Sequence, residues 1–320
     1  MTEKEFNNLL KQIEKDYGKG TIMNLDDKAI ENIEVISTGS LLLNNALGVG
    51  GYPRGRIVEI FGPESSGKTT MALHAIAQVQ KNGGIAAFID AEHALDVGYA
   101  RRLGIDLKKI IISQPDSGEQ ALELVDQLVN SSMFDLVVID SVAALVPLAE
   151  LEGTMEDQQM GLQARMMAKS MRKLSASISK TNTTVIFINQ IREKVGVIFG
   201  SPEVTPGGRA LKFFATIRLD IRLRERIKIN QNVVGQRVRI KVVKNKVAAP
   251  YKEIETEIYY EDGIDIRKEL LSLALLKEVI IRKGLWYFYN DKKIGQTKKE
   301  VLTFLDNEET FAAVSKSIFK

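Results

Sequence analysis

The chain has no cysteine, and its only histidines are His74 and His93. That excludes disulfide frameworks, thiol nucleophiles and Cys/His zinc sites, and it fits a reducing compartment. Long apolar runs are missing too, since none approaches the roughly 20 residues that span a bilayer. The N-terminal Met1-Thr2-Glu3-Lys4-Glu5 has no apolar signal core, so the sequence reads as cytoplasmic. Net charge is only +3, so the distribution of charge says more about partners than the sum does. What is present suffices for a real core: 320 residues, 44% of them hydrophobic, a length that suggests about two domains.

The most informative stretch is Gly62-Pro63-Glu64-Ser65-Ser66-Gly67-Lys68-Thr69-Thr70, which fits G-x-x-x-x-G-K-[ST]. Before it runs Arg56-Ile57-Val58-Glu59-Ile60-Phe61, a short β-branched strand. After it Met71, Ala72, Leu73, Ile76, Ala77 and Val79 recur at helical spacing until Gly83-Gly84. Strand, loop and helix come in the order that a phosphate cradle needs. Glycines let backbone N–H groups turn inward on phosphates, and the helix N-terminus adds partial positive charge. Lys68 is then expected to reach the β/γ-phosphates and Thr69 to hold Mg²⁺.

Further apolar runs end in polar residues: Ile85 to Ile89 before Asp90-Ala91-Glu92, Leu136 to Ile139 before Asp140-Ser141, and Thr184 to Ile188 before Asn189-Gln190. This is the pattern of a buried, mostly parallel α/β sheet covered by helices, whose ligands sit beyond the strands' carboxyl ends. Glu92, Asp140 and Gln190 are therefore expected to converge on the nucleotide. Asp140 suits the Mg²⁺ shell, Glu92 the orientation or deprotonation of water, and Gln190 the sensing of a γ-phosphate.

Elsewhere, Phe6, Leu9, Leu10, Ile13 and Tyr17 share one face of an expected helix over 3–17, to be buried on its own core or on a neighbouring copy. Residues 152–161 are polar and glycine-bounded. Residues 191–208 form a long, glycine- and proline-rich loop in which Val195, Val197, Ile198 and Phe199 either wedge between bases or tuck beneath it. Between 221 and 249 stand nine basic residues against one acid, Glu225, alternating with aliphatics in two strand-like stretches. Period two sets the cations on one sheet face, a footprint for a polyanion. From Ile266 a leucine-rich helix, the strand-like Trp286-Tyr287-Phe288-Tyr289 and two short helices suggest a small separate α+β domain.

Ser37-Thr38-Gly39-Ser40, the phosphate loop, Phe88 to Asp96, Asp140-Ser141-Val142-Ala143-Ala144-Leu145, Phe187 to Arg192 and Val243-Lys244-Asn245-Lys246 together resemble the bacterial RecA recombinase family over nearly the whole length. The resemblance implies an ATP-dependent filament on single-stranded DNA that pairs it with homologous duplex, exchanges strands and stimulates self-cleavage of the SOS repressor. It implies an N-terminal helix and strand (1–33) docking on the adjacent protomer, an ATPase core (34–265) and a small C-terminal domain (266–320).

By position, Glu92 resembles the water-activating carboxylate and Gln190 the switch, while Asp96 and Tyr99 contact adenine. Lys244 and Lys246 reach the neighbour's ATP, with Phe213 relaying the signal. The two loops become the primary DNA loops: Met160 and Val195 space bases, Arg165 and Arg172 grip phosphates, and Arg192, Gly207 and Gly208 belong to the second loop. Arg222, Arg239 and Lys241 resemble a secondary DNA site. Leu223 stands where the family often has a second arginine, and Gln159 and Glu193 replace more usual loop residues. The sequence stops at Phe319-Lys320 without the acidic tail that many members carry, a tail either naturally absent or removed; if such a tail competes with DNA for basic residues, easier loading onto duplex DNA is expected than in tailed relatives. A ring-shaped helicase and a phosphate-loop kinase for a small molecule remain as other readings of the same core.

Overall fold

The computed structural model describes residues 3–18, 21–22, 33–154, 161–194, 196 and 200–319, divided between two compact units, 1–34 and 35–320. The first unit holds α1 (Glu3–Tyr17), on which Phe6, Leu9 and Tyr17 are exposed. The second begins with β1 (Val35–Ile36), α2 (Leu41–Leu47), β2 (Tyr52–Pro53), β3 (Ile57–Gly62), α3 (Lys68–Lys81), β4 (Ala86–Asp90), α4 (Val97–Arg102), β5 (Ile111–Ser113), α5 (Gly118–Asn130) and β6 (Leu136–Asp140). It continues with α6 (Leu148–Glu152), α7 (Leu162–Thr181), β7 (Thr184–Gln190), β8 (Arg192–Glu193), β9 (Glu203–Val204), α8 (Ala210–Phe214), β10 (Ile217–Ile229), β11 (Asn232–Asn245), β12 (Glu253–Tyr259) and β13 (Gly263–Ile264). Last come α9 (Ile266–Leu276), β14 (Ile280–Lys283), β15 (Trp286–Tyr289), β16 (Lys292–Gly295), α10 (Lys298–Phe304) and α11 (Glu308–Ile318).

Strands buried on both faces need apolar side chains at nearly every position, and the runs of β3, β4, β6 and β7, broken within β3 only by Glu59, meet that demand. They sit in one nine-stranded sheet of order β13-β12-β11-β10-β3-β7-β6-β4-β5. From β10 to β5 neighbours are parallel, and β11, β12 and β13 extend the sheet antiparallel. Successive side chains alternate between faces. Val58, Ile60, Ile186 and Ile188 pack with α3, whereas Ile57, Val185 and Phe187 pack with α5 and α7. The α/β class with a mostly parallel sheet is thus as expected.

Register aligns the carboxyl ends, with Gly62 opposite Gln190 and Asp90 opposite Asp140. Helix entries are fixed by side-chain caps: Ser40, Asp96, Ser117 and Asp265 each accept from backbone N–H groups of the first turn. The C-terminal segment has its own apolar cluster around Leu270, Leu273, Tyr287, Val301 and Val314, against which Leu41 and Leu42 of α2 also pack. The carboxylate of Glu269 on α9 accepts from Ser40 Oγ (2.8 Å), Leu42 N (3.2 Å) and Thr256 Oγ1 (2.5 Å), fastening this segment to the α/β core.

The segment 191–208 differs from the plain loop expected of it. Arg192–Glu193 and Glu203–Val204 pair as a two-stranded antiparallel ladder, because their backbones can satisfy each other where no larger sheet edge is at hand.

Candidate functional site

The loop between β3 and α3 must fold tightly back over the helix N-terminus, and two glycines permit it. A Cβ on Gly62 would lie 2.1 Å from the Ile221 carbonyl oxygen. Gly67 has φ +94°, and a Cβ there would meet Ile258 Cδ1 at 2.6 Å. Lys68 Nζ donates to the Pro63 carbonyl at 2.6 Å, so the lysine lies along the loop. Burial pushes its pKa down, opposed by the charges of Asp140, Glu92 and Glu64. Thr69 Oγ1 donates to Asp140 Oδ2 at 2.6 Å. Asp140 is 8% exposed, and burial pushes its carboxyl up to about 6 against the Thr69 hydrogen bond and the Lys68 charge.

Glu92 is aimed by the chain around it. The backbone N–H groups of Ala91 and Glu92 donate to the Asp140 carbonyl at 2.8 and 3.3 Å, while Asp90 accepts from the N–H groups of Ala94 and Leu95. The Glu92 carboxylate accepts from Gln190 Nε2 at 2.9 Å and from Ser141 Oγ. The three expected side chains therefore do converge at the strand ends. Gln190 Oε1 and Ser66 Oγ are buried without a partner among the described residues.

Beside the loop lies a cleft of about 370 Å³, lined by Ser65, Ser66, Gly67, Lys68, Thr69 and Thr70 with Asp96, Tyr99, Arg102, Gln236, Ile258 and Tyr260. Asp96 caps α4 by accepting from Tyr99 N at 2.8 Å, which sets the ring of Tyr99 with its hydroxyl 3.2 Å from Thr70 Oγ1. Gln236, Tyr260 and Arg102 were not foreseen. Gln236 Nε2 donates to the Ser65 carbonyl at 3.0 Å, and Arg102 lies 5.7 Å from the Tyr99 ring centroid. The cavity, the orphaned Ser66 hydroxyl and the all-oxygen pair Thr69–Asp140 fit a phosphate-bearing ligand with a hard cation.

Lys244 and Lys246 are not among the residues lining this cleft. Lys244 Nζ donates to the carbonyls of Lys212 (2.8 Å) and Phe213 (2.9 Å), and Lys246 Nζ to that of Phe213 (3.4 Å). Both ammonium groups thus sit at the C-terminal end of α8, where backbone carbonyls favour cations. Partial burial, then Lys246 and Arg218, push Lys244 down to about 8. Phe213 is 65% exposed.

Of the expected DNA-binding residues, Met160 and Val195 lie outside the described residues. Arg165 and Arg172 are exposed on α7, about two helical turns apart and so on one face. Arg192 is exposed in its short ladder. Gly207 and Gly208 have φ +82° and +76° and press on Val142 and Ala164, where any Cβ would collide.

The basic face needs correction, because it is not unopposed. Arg222 is held bidentately by Glu203 (2.7 and 2.5 Å) and also bonds Asp220. Arg224 and Arg239 lie within ion-pair distance of Glu253, and Arg237 pairs with Glu225 (2.7 Å) and Glu257 (3.1 Å). Lys241 stands opposite Asp220 and Glu253 in the ladder. Glu203 comes from β9 and Asp220 and Glu225 from β10 itself, while Glu253, Glu255 and Glu257 come from β12 at period two, just past the stretch whose charges were so one-sided.

A phosphate loop at the carboxyl ends of parallel strands, facing a carboxylate and an amide, defines a phosphate-loop nucleotide-binding protein. Residues 4–265 match the RecA N-terminal domain and residues 268–320 the RecA C-terminal domain. The chain is 59% identical over 307 residues to Protein RecA of Enterococcus mundtii, covering 96% of this chain and 89% of that one. It is 58% identical over 310 residues to Protein RecA of Enterococcus faecalis (97% and 89% covered) and 56% over 306 residues to that of Mycoplasma mycoides subsp. mycoides (96% and 89%). The chain belongs to the RecA family, whose general character is nucleotide binding and DNA-dependent ATPase action in recombination and repair. Among the described residues no helix is long and apolar enough to cross a membrane.

Proposed function

We propose that this protein binds ATP with Mg²⁺, assembles head to tail on single-stranded DNA, hydrolyses ATP there, and pairs the bound strand with homologous duplex to exchange strands. The same filament stimulates self-cleavage of the SOS repressor, and the protein acts in the cytoplasm. Residues 1–33 dock the neighbouring protomer, 34–265 form the ATPase core with the DNA loops, and 266–320 form a small α+β domain.

The observation that carries the reading is the meeting of Glu92, Gln190 and Ser141 at the ends of adjoining strands, next to the Thr69–Asp140 pair. Residues Gly62 to Thr70 cradle the phosphates, and Asp96 and Tyr99 border the adenine. Thr69 and Asp140 would hold Mg²⁺, which when bound neutralises charge on the phosphate oxygens. Glu92 takes the proton of the attacking water, and Gln190 moves from the Glu92 carboxylate to the γ-phosphate. Lys244 and Lys246 of one protomer serve the neighbour's nucleotide, since within their own chain they are turned to the end of α8. Cations supplied in this way are worth on the order of 10³ to 10⁵ in rate. Phe213, exposed beside them, carries the signal across the interface.

Single-stranded DNA runs along the loops with Met160, Arg165, Arg172, Arg192, Val195, Gly207 and Gly208, and the duplex meets Arg222, Arg239 and Lys241. ATP hydrolysis measured with and without single-stranded DNA across a salt series tests this. Turnover that requires DNA, with binding falling at a log–log slope of about −0.7 per phosphate contact, is expected. Turnover indifferent to DNA would point to a small-molecule kinase instead.

A further inference from the structure

Glu59 takes no part in lining the cleft, yet it is a carboxylate at 0% exposure in the middle of β3. Its two oxygens look in opposite directions across the sheet. Oε1 accepts from Asn189 Nδ2 on β7 at 3.1 Å, and Oε2 accepts from Arg218 Nε on β10. Asn189 is in turn committed: its Oδ1 accepts from Gln190 N at 3.0 Å and its Nδ2 also reaches the Pro206 carbonyl at 3.2 Å. Arg218 lies opposite Lys244 in the β10–β11 ladder, with its guanidinium 4.5 Å from the Phe61 ring centroid. One buried carboxylate thus joins the residue next to Gln190, which also reaches Pro206 of the 191–208 segment, to the strand paired with the one that carries Lys244.

Stability alone gives little reason for it. An apolar side chain of similar size between β7 and β10 would avoid desolvating two charges, and such replacements are often neutral or stabilising. Once the pair is there, separating it leaves a buried charge without its counterion, at a cost of several kcal/mol. A displacement of Asn189 must therefore be followed by Arg218, or the reverse.

We propose that Glu59 is a positioning residue that couples Gln190 at a protomer's own nucleotide to the Lys244 it offers to the neighbour, so that successive nucleotide sites respond to ATP together. The proposal rests on the head-to-tail reading above. Occupancy at one site draws Gln190 toward the phosphate, the shift passes through Asn189, Glu59 and Arg218, and the β10–β11 pair presents Lys244 to the next site. The covalent reaction itself is unchanged. Glu59 acts on how sharply it depends on ATP, not on the saturated rate.

The test is the ATP dependence of DNA-stimulated hydrolysis in the full chain, for wild type and Glu59→Gln, with melting temperature and nucleotide binding by the isolated protomer measured in parallel. The expected result is a wild-type response steeper than hyperbolic. The variant's 10-to-90% range should broaden toward about 81-fold in ATP, as for independent sites, with little change in the saturated rate. Because E59Q leaves Arg218 without its counterion and so threatens the fold, the pair E59Q/R218Q is the second variant. It keeps an amide–amide hydrogen bond with no buried charge, and the same broadening is expected. A folded variant with the wild-type steepness, or a wild type that is itself hyperbolic under DNA stimulation, overturns the coupling. Absence of any DNA stimulation in wild type would overturn the functional reading and the coupling with it.

Discussion

Under the proposed function, Asp140 serves binding at the expense of the ligand-free fold. Its carboxyl, raised from 3.8 to about 6 chiefly by burial, holds a proton in the folded chain at pH values where the unfolded chain has lost it. Between those values folding is linked to proton uptake, so this group's penalty grows as pH rises from about 4 and is complete above about 6. Asp140→Asn removes the charge and keeps the shape. Without nucleotide or Mg²⁺, D140N should be more stable than wild type at pH 7.5, by up to about 3 kcal/mol, with the gap closing by pH 4. The Mg²⁺ needed for half-maximal hydrolysis should rise at least about tenfold. Urea unfolding against pH and a Mg²⁺ titration read the two effects. An unchanged or lowered stability at pH 7.5 would mean that Asp140 is well solvated.

Glu92, Asp140 and Gln190 were legible because each closes an apolar run, and a parallel sheet delivers such positions to one edge. Ser141 stands beside Asp140 in the sequence, yet nothing local says that its hydroxyl reaches a carboxylate 49 positions away. Gln236 and Tyr260 arrive at the cleft only through the antiparallel register of β11 and β12. Glu59 sits inside an apolar strand, with partners 130 and 159 positions distant, and the run by itself suggests no role.

Among the elements, the run of strands β10, β11 and β12 departs most from expectation. Alternation of cations and aliphatics in β10 and β11 was legible, and Ile221, Val238, Ile240 and Val242 are buried as period two requires. Toward the hairpin tip the alternation stops sorting faces. Leu223 is 44% exposed, and the register slips between Leu223 and Glu225. The third strand was read as neither partner nor counter-charge, although Glu253, Glu255 and Glu257 repeat at the same period.

These acids hold Arg224, Arg237 and Arg239 in the unbound protein, so a polyanion must compete for the cations. The variant E253Q/E255Q/E257Q should bind duplex DNA more tightly at low salt, with a slope of log affinity against log salt steeper by roughly 0.9 for each cation released to a phosphate. Filter binding or fluorescence anisotropy at several salt concentrations measures it. An unchanged slope would mean that this face meets no phosphate.

For the molecule as a whole, the α/β core was legible from its motifs, whereas the proposed completion of one chain's site by the next rests on residues that do not line their own chain's cleft. Lys244 and Lys246 rest on carbonyls of α8, beside an exposed Phe213. That arrangement makes sense if their ligand belongs to the next protomer in a head-to-tail series, where one surface of each subunit meets a different surface of its neighbour. The C-terminal segment has its own apolar cluster and is tied to the core through Glu269.

Mixing two inactive variants tests trans activation most directly. Glu92→Gln keeps the lysines and lacks the carboxylate that activates water; Lys244→Ala keeps Glu92 and lacks the lysine given to the neighbour. Each alone should hydrolyse ATP poorly on single-stranded DNA while still binding nucleotide. In a random one-to-one filament, about a quarter of the junctions join an intact Glu92 to an intact Lys244, so about a quarter of wild-type turnover should return. A mixture no more active than the sum of its separate components would contradict a nucleotide site completed by the neighbouring protomer.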